Sequence, residues 1–242
     1  MKLGFIGTGN MASAIMGGII SKGVIPADEI IGADLFAPGR ERVKEKFGIH
    51  VTADNNEVVE KADVVLLSVK PQFYADVISG IKDKIRPDQI VITIAPGKTL
   101  SWLSEEFGKD VKIVRCMPNT PAMVGEGMTA ACPNEHMTEE EIEYVKTLLS
   151  SFSLVEIVPE KLMDTVTAVS GSSPAYVFMF IEAMADAAVL DGMPRAQAYK
   201  FAAQAVLGSA KMVLDTGKHP GELKDMVCSP AGTTIDAVRV LE

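Results

Sequence analysis

The chain has 242 residues and a mass of 25.9 kDa, 48% of them hydrophobic and 23% charged; at roughly 150 residues per domain this is one large or two modest globular domains, able to bury a core without staples. Twenty-three basic against 32 acidic residues give a net charge of −9, which leaves no basic surface to neutralise a phosphate backbone and argues against nucleic acid as a partner. Three cysteines (Cys116, Cys132, Cys228) without CxxC spacing and three scattered histidines (His50, His136, His219) argue against a disulfide framework and against a metal site; they read as small thiols in a reduced cytoplasm.

Residues 2–6 form a short apolar run, and from Met11 to Ile20 the positions Met11, Ala14, Ile15, Gly18 and Ile19 recur at helical spacing, which predicts strand, tight turn and helix. Stretch 3–21 carries no charge, but Gly7, Gly9 and Asn10 punctuate it, so it reads as soluble and no membrane association is expected. Further strands are predicted at Glu29–Ala33, Val64–Val69, Ile90–Ile94 and Val111–Cys116, separated by amphipathic stretches at Arg40–Phe47, Tyr74–Ile85 and Leu100–Phe107. This alternation predicts parallel βαβ units, whose right-handed crossovers bring the carboxyl ends of the strands to one crevice. At those ends stand Gly7-Thr8-Gly9-Asn10, Val69-Lys70-Pro71, Ala95-Pro96-Gly97 and the run from Cys116 to Pro121.

A helix over Thr138–Leu149, opened by Thr138 and Glu141 at capping-box spacing, and a strand near Leu154–Val158 complete this half. The strands then stop. Ser173-Pro174 supplies an N-cap and an N1 proline for a helix from Ala175 to Leu190, a second helix runs from Pro194 to Leu214, and a shorter one surrounds Leu223. A Rossmann-like dinucleotide-binding domain over 1–158 and an all-α domain over 159–242 follow, with the boundary near Pro159. Small residues on several sides of the later helices (Ala183, Ala187, Ala202, Ala205, Gly208) predict burial against a second copy, a self-contained bundle being the alternative.

Gly7-Thr8-Gly9-Asn10-Met11-Ala12 matches G-x-G-x-x-G/A at the end of the first strand, with Asp34 at the end of the second. Gly7 permits the turn, Gly9 lets a pyrophosphate approach, and the helix start offers free N–H groups to the phosphates. Asp34 suits the two ribose hydroxyls and tips the reading towards NAD, while Arg40 and Arg42 keep NADP open. Lys70 reads either as a ligand of phosphate or ribose oxygens or as a solvated lysine. Asn119 reads either as a nicotinamide-orienting group or as a turn residue. Thr233 and Asp236 stand at capping-box spacing, and the helix start from Gly232 to Thr234 suits a carboxylate. No nucleophile elbow, Walker lysine or His/Asp pair is present, so the dinucleotide is expected to carry the chemistry.

Taken with Val69-Lys70-Pro71, the run Arg115 to Pro121, Ser170-Gly171-Ser172-Ser173-Pro174-Ala175-Tyr176, and the run His219-Pro220-Gly221 through Ser229-Pro230-Ala231-Gly232-Thr233-Thr234, the opening glycine motif closely resembles the pyrroline-5-carboxylate reductase family over essentially the whole chain. The resemblance implies hydride transfer from NADPH or NADH to the C=N carbon of 1-pyrroline-5-carboxylate, giving L-proline, in the cytoplasm. By motif position it implies Thr234 as the hydroxyl near the ring nitrogen. The Thr233 and Thr234 backbone, with Gly232, holds the carboxylate, Glu160 and Ser172 lie at the substrate, and Gly7, Thr8, Gly9, Asn10, Met11, Asn56, Val69, Lys70, Pro71 and Ala95 lie at the cofactor. It further implies a homodimer through the helical domain, assembling into larger rings, an active site completed by both subunits, and one more helix beyond Glu242. Two departures stand out: Asp34 where relatives that prefer NADP carry a small polar residue, and Ala231 where glycine is common. A β-hydroxyacid dehydrogenase is the nearest enzymatic rival, but Lys200 and Lys211 lack the surrounding motif; a non-catalytic dinucleotide sensor is the other.

Overall fold

The computed structural model describes residues 2–242, which fall into two compact units, one ending at Pro174 and one running from Ala175 to Glu242. The first is an eight-stranded sheet in the order β3-β2-β1-β4-β5-β6-β7-β8. Its elements are β1 (Leu3–Ile6), α1 (Asn10–Ser21), β2 (Ile30–Ala33), α2 (Ala37–Phe47), β3 (His50–Thr52), α3 (Asn55–Lys61), β4 (Val64–Leu67), α4 (Tyr74–Ile81), β5 (Ile90–Thr93), α5 (Leu100–Phe107), β6 (Lys112–Met117), β7 (Gly127–Pro133), α6 (Glu139–Leu149), β8 (Ser153–Ile157) and the short α7 (Met163–Val166). Every adjacent pair is parallel except β6 with β7.

The four residues of β1 and of β4 are buried throughout, as strands covered on both faces must be, and this is why they read as unbroken apolar runs. One face packs Ile15, Met16 and Ile19 of α1 with Leu148 of α6 and Phe152. The other packs Val58 of α3, Ile78 of α4 and Leu103 of α5. Strand order reverses between β1 and β4, which opens a crevice beyond their carboxyl ends. Buried Tyr74 braces these strand ends: the hydroxyl donates to Leu67 O at 2.6 Å and accepts from Ile94 N at 3.3 Å, tying the ends of β4 and β5 together.

Four elements escape the sequence reading: β3, α3, β7 and the short α7. β3 has only three residues, and α3 buries just Val58 and Val59, so neither shows a period; Asp54 caps α3 by accepting from Asn56 N at 2.9 Å. β7 is made of small residues and runs antiparallel to β6, where parallel units were expected throughout.

The sequence division near Pro159 and the packing division after Pro174 also differ. Met163 is buried among Met117, Ala130 and Cys132, so segment 159–174 packs with the sheet unit although it is helical. Nor does Ser173 act as an N-cap: it is the first residue of a helix that continues a helical run extending from Glu160 to Leu190, with a π-helical stretch at Thr167–Gly171. That run is long and apolar enough to cross a membrane by length and composition alone.

The second unit consists of α8 (Ser173–Leu190) beyond Pro174, α9 (Arg195–Thr216), α10 (Pro220–Val227) and α11 (Thr233–Leu241). Its buried centre is Ala185, Ala198 and Ala202, whose small side chains let α8 and α9 approach closely, while Tyr176, Phe178, Met179 and Phe201 are exposed. The N-cap of α11 is Gly232 and no side chain caps it; Thr233 is already the first helical residue, so the expected Thr233/Asp236 capping box does not form. Ala231 adopts φ +58°, the only non-glycine residue with positive φ among the described residues.

Candidate functional site

The glycine turn is shaped by two different demands. Gly7 follows β1 with φ +98°, and a Cβ there would lie 2.8 Å from Ser68 C and 2.9 Å from Val69 N, so both its dihedral and the approach of the β4 end exclude a side chain. Ser68 fastens the approach by donating from its backbone N–H to Ile6 O and from its hydroxyl to Gly7 O, at 2.8 and 2.7 Å. A Cβ at Gly9 would meet nothing within 4 Å. Gly9 therefore borders open space at the start of α1, whose first turn carries no acidic residue and so presents its positive end to an anion.

That space is a crevice of about 810 Å³. Gly7, Gly9, Asn10 and Met11 line it from the turn, Asp34 from β2, Val69, Lys70 and Pro71 from β4, and Ala95 from β5. Ser172 lines it too, as do three side chains on which the sequence reading was silent, Ser68, Phe73 and Thr167. Thr167 could not have been found, since it reaches the wall only through the π-helical stretch. A second cavity of about 660 Å³, with Lys22, Arg42 and Lys46 in its lining, lies along α1 and α2 and shares Asn10, but no strand end opens on it.

Four assigned residues are spent elsewhere. Thr8 is fully buried and gives both its N–H (2.8 Å) and its hydroxyl (3.1 Å) to Asp34 Oδ2, so its side chain faces Asp34 and not the crevice. Asn56 lies at the start of α3, turned to Asp54, and outside the crevice lining. Asn119 accepts from Met128 N at 2.9 Å and donates to Ser170 O at 3.0 Å, which makes it a bridge between loops and not a nicotinamide-facing amide. Glu160 Oε1 accepts from Arg115 Nη1 at 2.8 Å and from Leu100 N at 2.7 Å, and it does not line the crevice. Gly232, Thr233 and Thr234 belong to the second unit, at the open start of α11.

Asp34 also differs from its sequence reading. Its Oδ1 accepts from Phe36 N at 2.9 Å while Oδ2 serves Thr8, so the carboxylate is occupied in holding the turn. Arg40 donates to Asp34 O, and Arg42 donates to Thr8 O at 3.3 Å. Two guanidinium groups thus gather at the end of β2, outside the crevice lining, beside a carboxylate whose oxygens already accept three hydrogen bonds, and they offer cations to a phosphate. Burial pushes the Cys116 thiol far above its ordinary value, which leaves it an inert packing group. Among the described residues no group of three or more His, Cys, Asp or Glu could hold a metal ion.

The family profile described as pyrroline-5-carboxylate reductase dimerisation matches residues 160–242, and one described as NADP oxidoreductase, coenzyme F420-dependent, matches residues 2–97. The pyrroline-5-carboxylate reductase of Escherichia coli (strain K12) is 53% identical over 244 residues, covering 100% of this chain and 90% of its own. The chain belongs to the pyrroline-5-carboxylate reductase family. Two solved pyrroline-5-carboxylate reductases share its fold: one from Coxiella burnetii, 36% identical with a TM-score of 0.92 over 99% of this chain and 89% of its own, and one from Plasmodium falciparum, 32% identical with a TM-score of 0.89 over 100% and 89%, the latter with NADP bound.

Proposed function

We propose that this chain reduces 1-pyrroline-5-carboxylate to L-proline in the cytoplasm, taking a hydride from NADPH in preference to NADH. The observation that carries the reading is the glycine turn at the reversal of strand order, open at Gly9 and unopposed by acid in α1, in a chain that matches a family member along all of its own residues. When bound, the dinucleotide supplies the hydride for the C=N carbon. The chain's own residues do the rest. The N–H groups at the start of α1 hold the pyrophosphate, and Arg40 and Arg42 hold a 2′-phosphate while Asp34 is kept in place by Thr8 and Phe36. Lys70, exposed at the rim, reaches phosphate or ribose oxygens.

A protonated cyclic imine accepts hydride without an enzyme base, so orientation is the main task. The uncapped start of α11 leaves N–H groups at Thr233 and Thr234 free for a substrate carboxylate, and the resemblance to the family by motif position supports the Thr234 hydroxyl as the group for the ring nitrogen. The exposed aromatic and methionine side chains of the second unit, within the matched dimerisation segment, support a homodimer that assembles into larger rings, and a protein partner rather than lipid for the apolar Glu160–Leu190 run.

The test follows absorbance of NADPH and NADH separately with 1-pyrroline-5-carboxylate, for the native chain and for Thr234→Ala. Oxidation of NADPH at the lower KM, cut at least tenfold in kcat/KM by Thr234→Ala, is expected; no oxidation of either coenzyme by the native chain would overturn the reading. Sedimentation reports the assembly separately, and a stable folded monomer would rule the dimer out.

A further inference from the structure

The wall of the crevice formed by Thr167, Gly171 and Ser172 owes its shape to a proline and an asparagine far apart in sequence. Pro174 has no N–H to give the carbonyl four residues back, which is Ser170 O. The backbone there is π-helical over Thr167–Gly171, with Ser172 N bonded to Thr167 O at 2.9 Å. The carbonyl that Pro174 leaves unserved takes its hydrogen bond from Asn119 Nδ2, 3.0 Å away. The other end of the same amide accepts from Met128 N at 2.9 Å, so Asn119, itself 9% exposed, joins the β6 end, the first residues of β7 and the π turn.

From this geometry we infer that Asn119 is a positioning residue for the reduction: through Ser170 O it sets where Thr167, Gly171 and Ser172 stand in the crevice. The inference rests on the crevice being the dinucleotide and pyrroline site. Asparagine is suited because one side chain must give a hydrogen bond on one side and take one on the other. Aspartate keeps the shape and the bond from Met128 N but loses the donor and sets a carboxylate oxygen against Ser170 O. Replacing Pro174 by alanine does the reverse, returning a backbone N–H to the helix and competing for the same carbonyl.

The experiment measures kcat and KM for 1-pyrroline-5-carboxylate, together with the Kd of NADPH by its fluorescence, for the native chain, Asn119→Asp, Pro174→Ala and the double variant. Expected are a fall of at least tenfold in kcat/KM in Asn119→Asp with the NADPH Kd within twofold of native, and less than twofold further effect of Asn119→Asp once Pro174 is alanine. Native kcat/KM in Asn119→Asp overturns the inference, as does an equal cost in both backgrounds, or a loss of catalysis matched by an equal loss of NADPH binding. If Asn119→Asp fails to fold, Pro174→Ala decides: an unchanged kcat overturns the inference. A native chain that binds no NADPH would instead defeat the reading of the crevice.

Discussion

Glu160 and Arg115 form an ion pair at 2.8 Å in which the arginine side chain is 4% exposed and the glutamate 32%. The pair fastens the start of segment 159–174 to β6, and the same carboxylate oxygen fastens it to the first residue of α5 through Leu100 N. Asn119 fastens the other end of the segment at Ser170. Glu160 therefore anchors the segment whose Thr167, Gly171 and Ser172 line the crevice.

Glu160→Ala strands a buried guanidinium, whose Nε already has no partner, and the Leu100 N–H. Because the glutamate is one-third exposed, a loss of about 2 kcal/mol is expected, below that for a fully buried pair. Glu160→Gln keeps an acceptor for Leu100 N and should lose about half as much. Thermal melts of the two variants check the order; an Ala variant as stable as the native chain would show the pair to be idle.

Arg40 and Arg42 should decide the coenzyme. Removing two charge-assisted contacts of about 1.5 kcal/mol each predicts a rise of about two orders of magnitude in the KM for NADPH in Arg40→Ala/Arg42→Ala. The KM for NADH should move by no more than about twofold, since no 2′-phosphate is lost. Steady-state kinetics with both coenzymes read this directly, and equal rises for both would remove the arginines from phosphate recognition.

Tyr74 links stability to alkaline pH. Burial pushes its ionisation well above the ordinary value near 10. Folding therefore favours the protonated phenol: its contribution is complete below about pH 10 and declines as pH rises beyond the unfolded value. Tyr74→Phe should lower stability by about 1 kcal/mol at neutral pH, through lost bonds to Leu67 O and Ile94 N, and flatten the alkaline decline. Urea midpoints from pH 7 to 11 test both parts.

Ala231 holds φ +58°, a conformation costing an L-residue about 1–2 kcal/mol. Glycine removes that strain and adds about 0.5–1 kcal/mol of unfolded-state entropy, so Ala231→Gly should stabilise by roughly 0.5–1 kcal/mol. A lower denaturation midpoint would mean that the alanine methyl packs usefully.

The sheet half was legible because its signals are local: β1, β2, β4, β5 and β6 are apolar runs and Gly7 to Ala12 is a turn opening a helix, all contained within a few residues. β3, α3 and β7 were not, because too few of their residues are apolar to show a period and their pairing is supplied by neighbours already in place. Among site residues, those on the glycine turn and at strand ends were readable from position alone. The polar ones whose side chains turn to other partners, Thr8, Asn119 and Glu160, find those partners far along the sequence.

The amino-acid order alone settled the alternation of strand and helix, the place of the glycine turn and the family, since each depends on the 2- and 3.6-residue periods or on contiguous motifs. Tertiary structure alone decided which polar groups remain for a ligand. Asp34 and Thr8 are 26 residues apart, Arg115 and Glu160 45, Asn119 and Ser170 51, and only folding brings each pair within hydrogen-bond distance, where a group that satisfies a buried neighbour is no longer free for substrate.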